Sequence, residues 1–162
     1  MKKRSAGILM FKRAGDDVYL LLVHPGGPFW ARKDIGAWSI PKGEYAEPED
    51  PLTAARREFE EETGMQLKSP VVALGELIQP NGKIVTAYAT EGDFDPATLK
   101  SNLFEMEWPP RSGYRRSFPE VDRAEWFLPA DAREKILRGQ IEFINRLMNS
   151  LDRSTNQAAH KK

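Results

Sequence analysis

The strongest constraint on this chain is a short acidic run inside a segment that otherwise has the pattern of a helix. Four glutamates, at positions 58, 60, 61 and 62, fall within five residues. Like charges three or four residues apart on a helix repel one another, so something must offset the repulsion. Mg²⁺ takes oxygen ligands and is usually shared between a few carboxylates and substrate phosphates. The run therefore indicates a site for a divalent cation.

The ends of this helix follow from its flanking residues. Asp50 can accept hydrogen bonds from the free backbone amides of the first turn, and Pro51 suits the first helical position. Gly64 suits the left-handed residue that follows the last turn. These three residues predict a helix of roughly a dozen residues.

Two faces of the predicted helix differ in character. One side carries an apolar stripe predicted to be buried, formed by Leu52, Ala55 and Phe59. An adjacent face carries three carboxylates at positions i, i+3 and i+4, which can converge on a cation: Glu58, Glu61 and Glu62. An acidic face in contact with solvent is the alternative for such a run taken alone.

The fixed positions around the helix resemble a family motif. From Gly43 to Met65 the order is Gly, five residues, Glu, seven residues, Arg-Glu, Phe, one residue, Glu-Glu, one residue, Gly and Met. Every fixed position matches the Nudix box of the Nudix hydrolases. The resemblance implies an α/β fold, an α/β/α sandwich with a mixed β-sheet and a loop–helix–loop catalytic motif. It also implies Mg²⁺- or Mn²⁺-dependent hydrolysis of a nucleoside diphosphate linked to a further group.

The resemblance also implies a role for each matching residue. Glu58, Glu61 and Glu62 would hold the metal ions, and one of them would also act as the base. Gly43 would offer its backbone carbonyl to a metal, and Arg57 would orient the glutamates. Diphosphate cleavage needs neutralised oxygen charge and a nucleophilic water near pH 7, and metal ions between carboxylates provide both.

Glu120 is a further candidate outside the box. It precedes a predicted last strand that contains Trp126. Many Nudix hydrolases have an acidic residue in a similar place, across the cleft from the box, where it serves as an extra metal ligand or base. A loop carboxylate in water is the alternative for Glu120. Asp122 and Glu125 are weaker candidates for the same role.

Two loops carry aromatic and basic side chains that suit a nucleotide. Residues 101–117 form a predicted insertion between strands, and residues 29–33 have the same character and could form an opposite wall. Aromatic rings can stack on a base, and arginines can pair with phosphates. A structural cover over the sheet edge is the alternative for the insertion. The candidate substrate-binding residues are Trp30, Lys42, Trp108, Arg111 and Tyr114.

The box defines the chemistry and leaves the substrate open. The segments GAWSIPKGE and EVDRAEWF resemble the small bacterial diadenosine-polyphosphate and nucleoside-triphosphate branch. A dinucleoside polyphosphate, such as diadenosine tetraphosphate, or a (d)NTP is therefore the expected substrate. ADP-ribose or a nucleotide sugar is the alternative. ADP-ribose hydrolases of the family tend to have a proline about 15 or 16 residues past the box, and Pro80 lies 15 residues past Met65. A non-catalytic nucleotide-sensing module is the alternative of another class, although such modules generally lose box glutamates.

Composition limits the remaining classes. The 162 residues predict one domain over 1–151, with a polar tail over 152–162 that is predicted to be disordered. The 24 basic and 24 acidic residues cancel, so no bulk field favours nucleic acid or an anionic membrane. The chain has no cysteine, which excludes thiolate catalysis. No apolar stretch reaches the length of a membrane span, and the predicted location is cytoplasmic. Monomer and homodimer both stay open.

Apolar patterning predicts the other elements. His24 is predicted to be a packed or surface histidine with no role in a site. The C-terminal helix is predicted with a break near Gly139. The predicted elements are a hairpin of 5–11 and 18–24, a short strand over 38–40, a hairpin of 71–79 and 83–90, a last strand over 124–128 and a helix over 136–151.

Overall fold

The computed structural model describes the backbone of residues 3–160 and the side chains of residues 3–154. Two short 3₁₀ turns, Pro96–Thr98 and Arg138–Gln140, connect longer elements. In chain order these are β1 (Arg4–Ala14), β2 (Asp17–Pro25), β3 (Lys42–Tyr45), α1 (Pro51–Thr63), β4 (Val72–Ile78), β5 (Ile84–Glu91), β6 (Leu103–Glu107), β7 (Arg115–Pro119), β8 (Val121–Phe127), α2 (Pro129–Lys135) and α3 (Ile141–His160).

Strand β1 organises the main sheet. It pairs in parallel with β5 along one edge, while its other edge pairs antiparallel with β3 near its start and with β2 near its end. The strand order is β4-β5-β1-β2-β8, so the sheet is mixed. Strands β6 and β7 form a separate two-stranded sheet. The pairing of Gly43 with Ala6 places the start of the 43–65 motif against the centre of the sheet.

Helices cover both faces of the main sheet. Side chains alternate along β1, so Ile8 packs in the cluster under α1, whereas Leu9 packs in the cluster under α2 and α3. Phe59 of α1 and Phe143 of α3 are fully buried on their respective sides. The result is the α/β/α sandwich that the resemblance implied.

The second strand is buried on both faces, as its unbroken apolar run predicts. Residues 20–23 of β2 are all at most 2% exposed. Both predicted hairpins form, β1–β2 and β4–β5. The last strand begins earlier than predicted, at Val121, because its pairing with β2 continues past His24 to Pro25.

Two elements differ from the sequence predictions for one shared reason. Residues 38–40 form isolated bridges to Val23 and Ile136 rather than a strand. The Leu137 amide donates to the carbonyl of Trp38 at 2.8 Å, and the Trp38 amide donates to Lys135. This exchange keeps the backbone after Lys135 extended, so the long C-terminal helix begins at Ile141 instead of residue 136.

The C-terminal part of α3 bears on the tail prediction. The backbone of α3 continues to His160, whereas side chains from residue 155 onward lie outside the described part. The domain boundary at 151 stays a prediction. Within residues 3–160, the structure has no helix that is both long and apolar enough to cross a membrane.

Candidate active site

The caps of α1 fix the direction of its acidic face. The Asp50 carboxylate accepts a hydrogen bond from the Thr53 amide at 3.1 Å, and Pro51 is the first helical residue. Gly64 is left-handed, with φ of 85°, and its amide donates to the Glu60 carbonyl at 2.7 Å. The helix therefore begins and ends where the sequence predicts.

Gly43 lets β3 approach α1 closely. A Cβ added at Gly43 would lie 2.1 Å from Cδ of Glu58, far inside any real contact. The Glu58 side chain is accordingly held against the backbone of the strand and is only 8% exposed as a residue. The glycine at this position thus has a steric reason that the sequence pattern alone does not give.

Arg57 connects three carboxylates. Its Nε and Nη2 donate to the two oxygens of Glu49, each at 2.9 Å, in a bidentate pair. Its Nη1 donates to Glu58 at 2.8 Å and to Glu61 at 3.2 Å. The hydrogen bonds from Arg57 lower the pKa of Glu49, and those to Glu49 and Glu58 raise the pKa of Arg57. The guanidinium thereby fixes the orientation of the acidic face.

Glu62 is the most perturbed carboxyl group of the site. Burial raises its pKa to about 8, against the opposing effect of the Lys42 amide, which donates to Glu62 Oε2 at 2.9 Å. The negative charges of Glu58 and Glu120 raise this pKa further. A cation near Glu62 would stabilise its ionised form and so lower this pKa.

Glu58 and Glu120 show the same tendency. Burial raises the pKa of Glu58 first, and the charge of Glu61 adds to it, although Arg57 opposes both. Burial and then the charge of Glu61 raise the pKa of Glu120. The ionised forms of these carboxyl groups are therefore disfavoured, because the positive charge around them does not balance burial and the neighbouring negative charge.

Lys42 lies beside this carboxyl cluster. Burial and the neighbouring charge of Lys83 lower the pKa of its ammonium group, while Glu62 and Glu44 act in the opposite direction. Lys83 itself contacts Glu44 at 3.1 Å. Lys42 is therefore a poorly solvated cation close to the acidic face, a position from which it can reach an anionic ligand.

The donor set suits a hard divalent cation, although the carboxylates are not gathered as ligands. Within residues 3–154, no three His, Asp or Glu side chains already have metal-holding geometry. Arg57 and the Lys42 amide occupy oxygens of Glu58, Glu61 and Glu62. These oxygens lie on one helix face, and an all-oxygen set without His or Cys fits Mg²⁺ or Mn²⁺.

Glu120 joins the site from a distant part of the chain. It lies between β7 and β8, where its amide donates to Asn102 and its carbonyl accepts from Gly26, each at 2.9 Å. Its carboxyl group and that of Glu62 line the same cavity. The structure therefore places Glu120 opposite α1, as the resemblance implied for an acidic residue in this position.

A cavity of about 480 Å³ opens beside the two carboxyl groups. We name it the loop–hairpin pocket: residues 25–30 form one wall, and Phe104 and Met106 of β6 form the other. A Cβ at Gly27, which has φ of 95°, would lie 2.9 Å from the Phe104 ring. The rings of Phe29 and Trp108 meet edge to face at 5.5 Å, which joins the loop to the hairpin.

The predicted substrate-binding residues fall into two groups. Trp30 lines the loop–hairpin pocket, and Trp108 contacts the Phe29 ring of its wall. Tyr114 is 72% exposed, and Arg111 has φ of 61° in the turn between β6 and β7. Neither of these last two belongs to the pocket lining, so any contact with substrate would be made outside it.

Sequence reasoning missed the contribution of Met106. It alternates with exposed residues along β6 and shares the pocket face with Phe104. The period-2 pattern of LFEME could have indicated this, because residues i and i+2 of a strand lie on one face.

His24 is packed in the interior, and its two ring nitrogens have polar partners that the sequence did not predict. The side chain is fully buried, with Nδ1 2.8 Å from an oxygen of Asp122 and Nε2 2.6 Å from the carbonyl of Lys33. Its ring also lies edge to face on Trp38 at 5.1 Å. Asp122 is 98 residues away in sequence, so no local pattern could have indicated the pair.

The family of the chain follows from a direct comparison. A NUDIX domain model matches residues 1–147, which includes the capped helix, its glutamates and Glu120. The chain belongs to the Nudix family. The loop–helix–loop motif of the family lies at residues 43–65.

Solved structures show the same fold at low sequence identity. The NUDIX domain of Shewanella oneidensis NrtR, complexed with ADP ribose, has a TM-score of 0.66 and 16% identity over 93% of this chain and 89% of that chain. A C. elegans Ap4A hydrolase binary complex has a TM-score of 0.64 and 17% identity over 91% of this chain and 98% of that chain. A mutT/nudix family protein from Listeria innocua has a TM-score of 0.64 and 16% identity over 96% of this chain and 97% of that chain.

Proposed function

We propose that this protein hydrolyses a diphosphate linkage in a nucleoside diphosphate derivative, with Mg²⁺ or Mn²⁺ as cofactor. The observation that carries the proposal is the mutual perturbation of the carboxyl groups. Glu58, Glu62 and Glu120 come from two separate parts of the chain, and burial and neighbouring negative charge raise the pKa of each. A structural acidic face in water would not collect partly buried carboxyl groups from two parts of the chain in this way.

Each group of the site has a proposed task. Glu58, Glu61 and Glu62 would hold the metal together with the Gly43 carbonyl, and Arg57 keeps the first two carboxylates in place. A bound divalent ion would neutralise charge on the phosphate oxygens and lower the pKa of a water molecule. Lys42 lies within the same charge cluster and offers an ammonium group to a phosphate.

Glu120 is the proposed general base. Glu58 accepts a hydrogen bond from Arg57, and Glu62 accepts one from the Lys42 amide. Among the contacts of residues 3–154, the Glu120 carboxyl group accepts no hydrogen bond and faces the cavity. Its raised pKa suits a group that takes a proton from water near neutral pH.

The expected substrate is a dinucleoside polyphosphate or a (d)NTP. Trp30 and Trp108 are proposed to contact the base, and Arg111 and Tyr114 are proposed to contact the substrate outside the pocket. The structural likeness to an Ap4A hydrolase supports this class, while the likeness to an ADP-ribose complex supports the alternative. Their TM-scores of 0.64 and 0.66 do not separate the two.

A nucleotide panel tests this proposal. Each nucleotide is incubated with the protein and Mg²⁺, and the nucleotide products are separated and quantified by ion-exchange chromatography. We expect hydrolysis of at least one dinucleoside polyphosphate or nucleoside triphosphate, and its loss when EDTA replaces Mg²⁺. Absence of hydrolysis across the whole panel would refute the catalytic proposal.

A pair of variants on α1 separates an enzyme from a nucleotide-sensing module. Glu58→Gln should lower the rate by about 10²-fold or more with the fold intact, because it removes a metal ligand. Glu60→Gln is the matched control, since Glu60 lies on the same helix and is exposed. Equal rates for the two variants would contradict the role of Glu58.

A further inference from the structure

A short backbone segment before β6 closes the last turn of α1. In this segment, residues 100–102, the Lys100 amide donates to the Thr63 carbonyl at 3.0 Å. The Asn102 amide donates to the Glu61 carbonyl at 2.7 Å. The last carbonyls of a helix have no partner within it, so both hydrogen bonds satisfy groups that would otherwise need water. The 100–102 segment is therefore fixed to the end of the helix that carries the acidic face.

The same segment holds the backbone at Glu120. The Asn102 carbonyl accepts from the Glu120 amide, and the Gly26 amide donates to the Glu120 carbonyl, each at 2.9 Å. Asn102 thus bonds Glu61 through its amide and Glu120 through its carbonyl, which fixes the spacing between those two backbones. Burial first, and then the charge of Glu61, raise the pKa of Glu120, so the two carboxyl groups are close enough to interact.

Ser101 contributes a side chain to this arrangement. Its Oγ donates to the Asn102 carbonyl at 2.8 Å and accepts from the Val121 amide at 3.0 Å. Val121 directly follows Glu120 and is only 3% exposed. A hydroxyl group can donate and accept at the same time, and Ser101 uses both capacities. Its side chain therefore holds the backbone beside Glu120 from the segment that is fixed to α1.

We propose that Ser101 is a positioning residue for the reaction, because its hydroxyl group keeps the Glu120 carboxyl group at a fixed place relative to the acidic face of α1. The inference rests on the proposed function, in which Glu120 is the general base. A general base must lie within hydrogen-bond reach of the water whose proton it takes. Groups on α1 would hold that water, whereas Glu120 belongs to the loop between β7 and β8. A misplacement of about 1 Å between the two can cost a rate factor of about 10².

Steady-state kinetics of Ser101→Ala test this role. The substrate is diadenosine tetraphosphate with Mg²⁺, or the panel nucleotide that the parent hydrolyses fastest if that is another. We expect kcat to fall by about tenfold or more with KM within about twofold of the parent value, because a displaced base affects the transition state and not substrate binding. Ser101→Thr retains a hydroxyl group and should restore most of kcat. A parent-like kcat in Ser101→Ala would overturn the proposal.

Ser69→Ala is the matched control. Ser69 is partly buried, as Ser101 is, and its hydroxyl lies 2.9 Å from Oγ1 of Thr90, on β5. The variant loses the same group from a part of the domain that does not hold Glu120. It should keep the parent kcat and KM. A similar fall of kcat in Ser69→Ala and Ser101→Ala would contradict a role specific to Ser101.

A double-mutant cycle with Glu120→Gln distinguishes positioning from a general effect on the fold. Glu120→Gln alone should lower kcat by about 10²-fold or more. If Ser101 acts through Glu120, adding Ser101→Ala to that variant should lower kcat by less than about twofold further. A further loss of about tenfold would show that Ser101 acts on the site as a whole, and the proposal would be wrong.

Circular dichroism of each variant checks that the domain is folded. If Ser101→Ala is unfolded, Ser101→Cys replaces it in both experiments, because a thiol has nearly the size of the hydroxyl group but is only a weak donor and acceptor. The same outcomes then support or overturn the proposal.

The outcomes distinguish this inference from the proposed function. A parent that hydrolyses no nucleotide refutes the proposed function, and the role of Ser101 falls with it. An active parent with an unchanged kcat in Ser101→Ala refutes the inference alone. An active parent whose kcat is unchanged by Glu120→Gln refutes both Glu120 as the base and Ser101 as its positioning residue, while metal-dependent hydrolysis stands.

Discussion

The buried His24 lies with Nδ1 2.8 Å from the Asp122 carboxylate, which ties the end of β2 to β8 two residues after Glu120. Its Nε2 lies 2.6 Å from the Lys33 carbonyl, so the same ring also holds the loop that contains the pocket wall. Both neighbours are oxygen atoms, so the ring lies between the Asp122 carboxylate on one side and the Lys33 carbonyl on the other. This one residue thus fixes the loop and the strand of Glu120 relative to each other.

Replacing His24 should loosen that connection. His24→Leu keeps much of the volume but removes both ring nitrogens, which lie against the Asp122 carboxylate and the Lys33 carbonyl. We expect a loss of about 1–3 kcal/mol in the free energy of unfolding, measured by urea denaturation. Asp122→Asn, which retains an acceptor oxygen, should lose less. Equal stability of parent and His24→Leu would show that the pair has no structural weight.

Gly43→Ala should disturb the contact between β3 and α1. The added methyl group would overlap the Glu58 carboxyl carbon at 2.1 Å, so the strand or the side chain must move. We expect a cost of about 1–3 kcal/mol in thermal unfolding and a reduced hydrolysis rate. Gly92→Ala is the control, because the nearest atom there is the flexible end of Met10 at 3.1 Å. A full rate for Gly43→Ala would argue against a fixed Glu58.

Arg57→Lys should reduce activity without unfolding the protein. A lysine cannot reproduce the bidentate pair with Glu49 while also contacting Glu58 and Glu61. We expect kcat/KM to fall by about tenfold or more, with a melting temperature within a few degrees of the parent. Arg56→Lys is the neighbouring control, since that guanidinium donates to the Leu67 carbonyl at 3.0 Å, away from the glutamates. Similar losses in both variants would contradict the orienting role.

Mg²⁺ should stabilise the folded protein through Glu62. A ligand that binds only the native state stabilises it by RT ln(1 + [L]/Kd), so the melting temperature rises with the logarithm of the ligand concentration once that exceeds Kd. We expect a measurable shift with millimolar Mg²⁺ in the parent and a smaller shift in Glu62→Gln. The comparison uses differential scanning fluorimetry with EDTA as the baseline. Identical shifts in both proteins would remove Glu62 from the metal site.

Asp34 should make the free energy of unfolding depend on pH in the acid range. Hydrogen bonds from Lys135 and Trp38 lower the pKa of the Asp34 carboxyl group. A carboxyl group with a lowered folded pKa contributes stability above its unfolded value and loses it as pH falls through the folded value. Asp34→Asn should therefore lose less stability than the parent when urea unfolding is compared at pH 6 and pH 3. An equal loss in both proteins would contradict this contribution.

The helix of the catalytic motif was predictable because its determinants are local. Asp50, Pro51 and Gly64 cap or bound α1 through contacts within a few residues, and helical periodicity alone places the acidic face. Both hairpins of the main sheet also follow from nearby turns and apolar runs. Backbone hydrogen bonds between distant segments were not predictable. Those between Trp38 and residues 135 and 137 place the start of the C-terminal helix at Ile141 instead of residue 136.

The sequence by itself determined the helix of residues 51–63 and its acidic face, whereas the tertiary structure decided which distant residues lie beside that face. A spacing of glutamates on one helix defines an acidic face, since helix geometry depends only on neighbours in the chain. Glu120, the Phe104–Met106 wall and the 25–30 loop come together through sheet pairing and loop contacts across many tens of residues. Such contacts depend on the packing of the whole domain, and no local pattern encodes them.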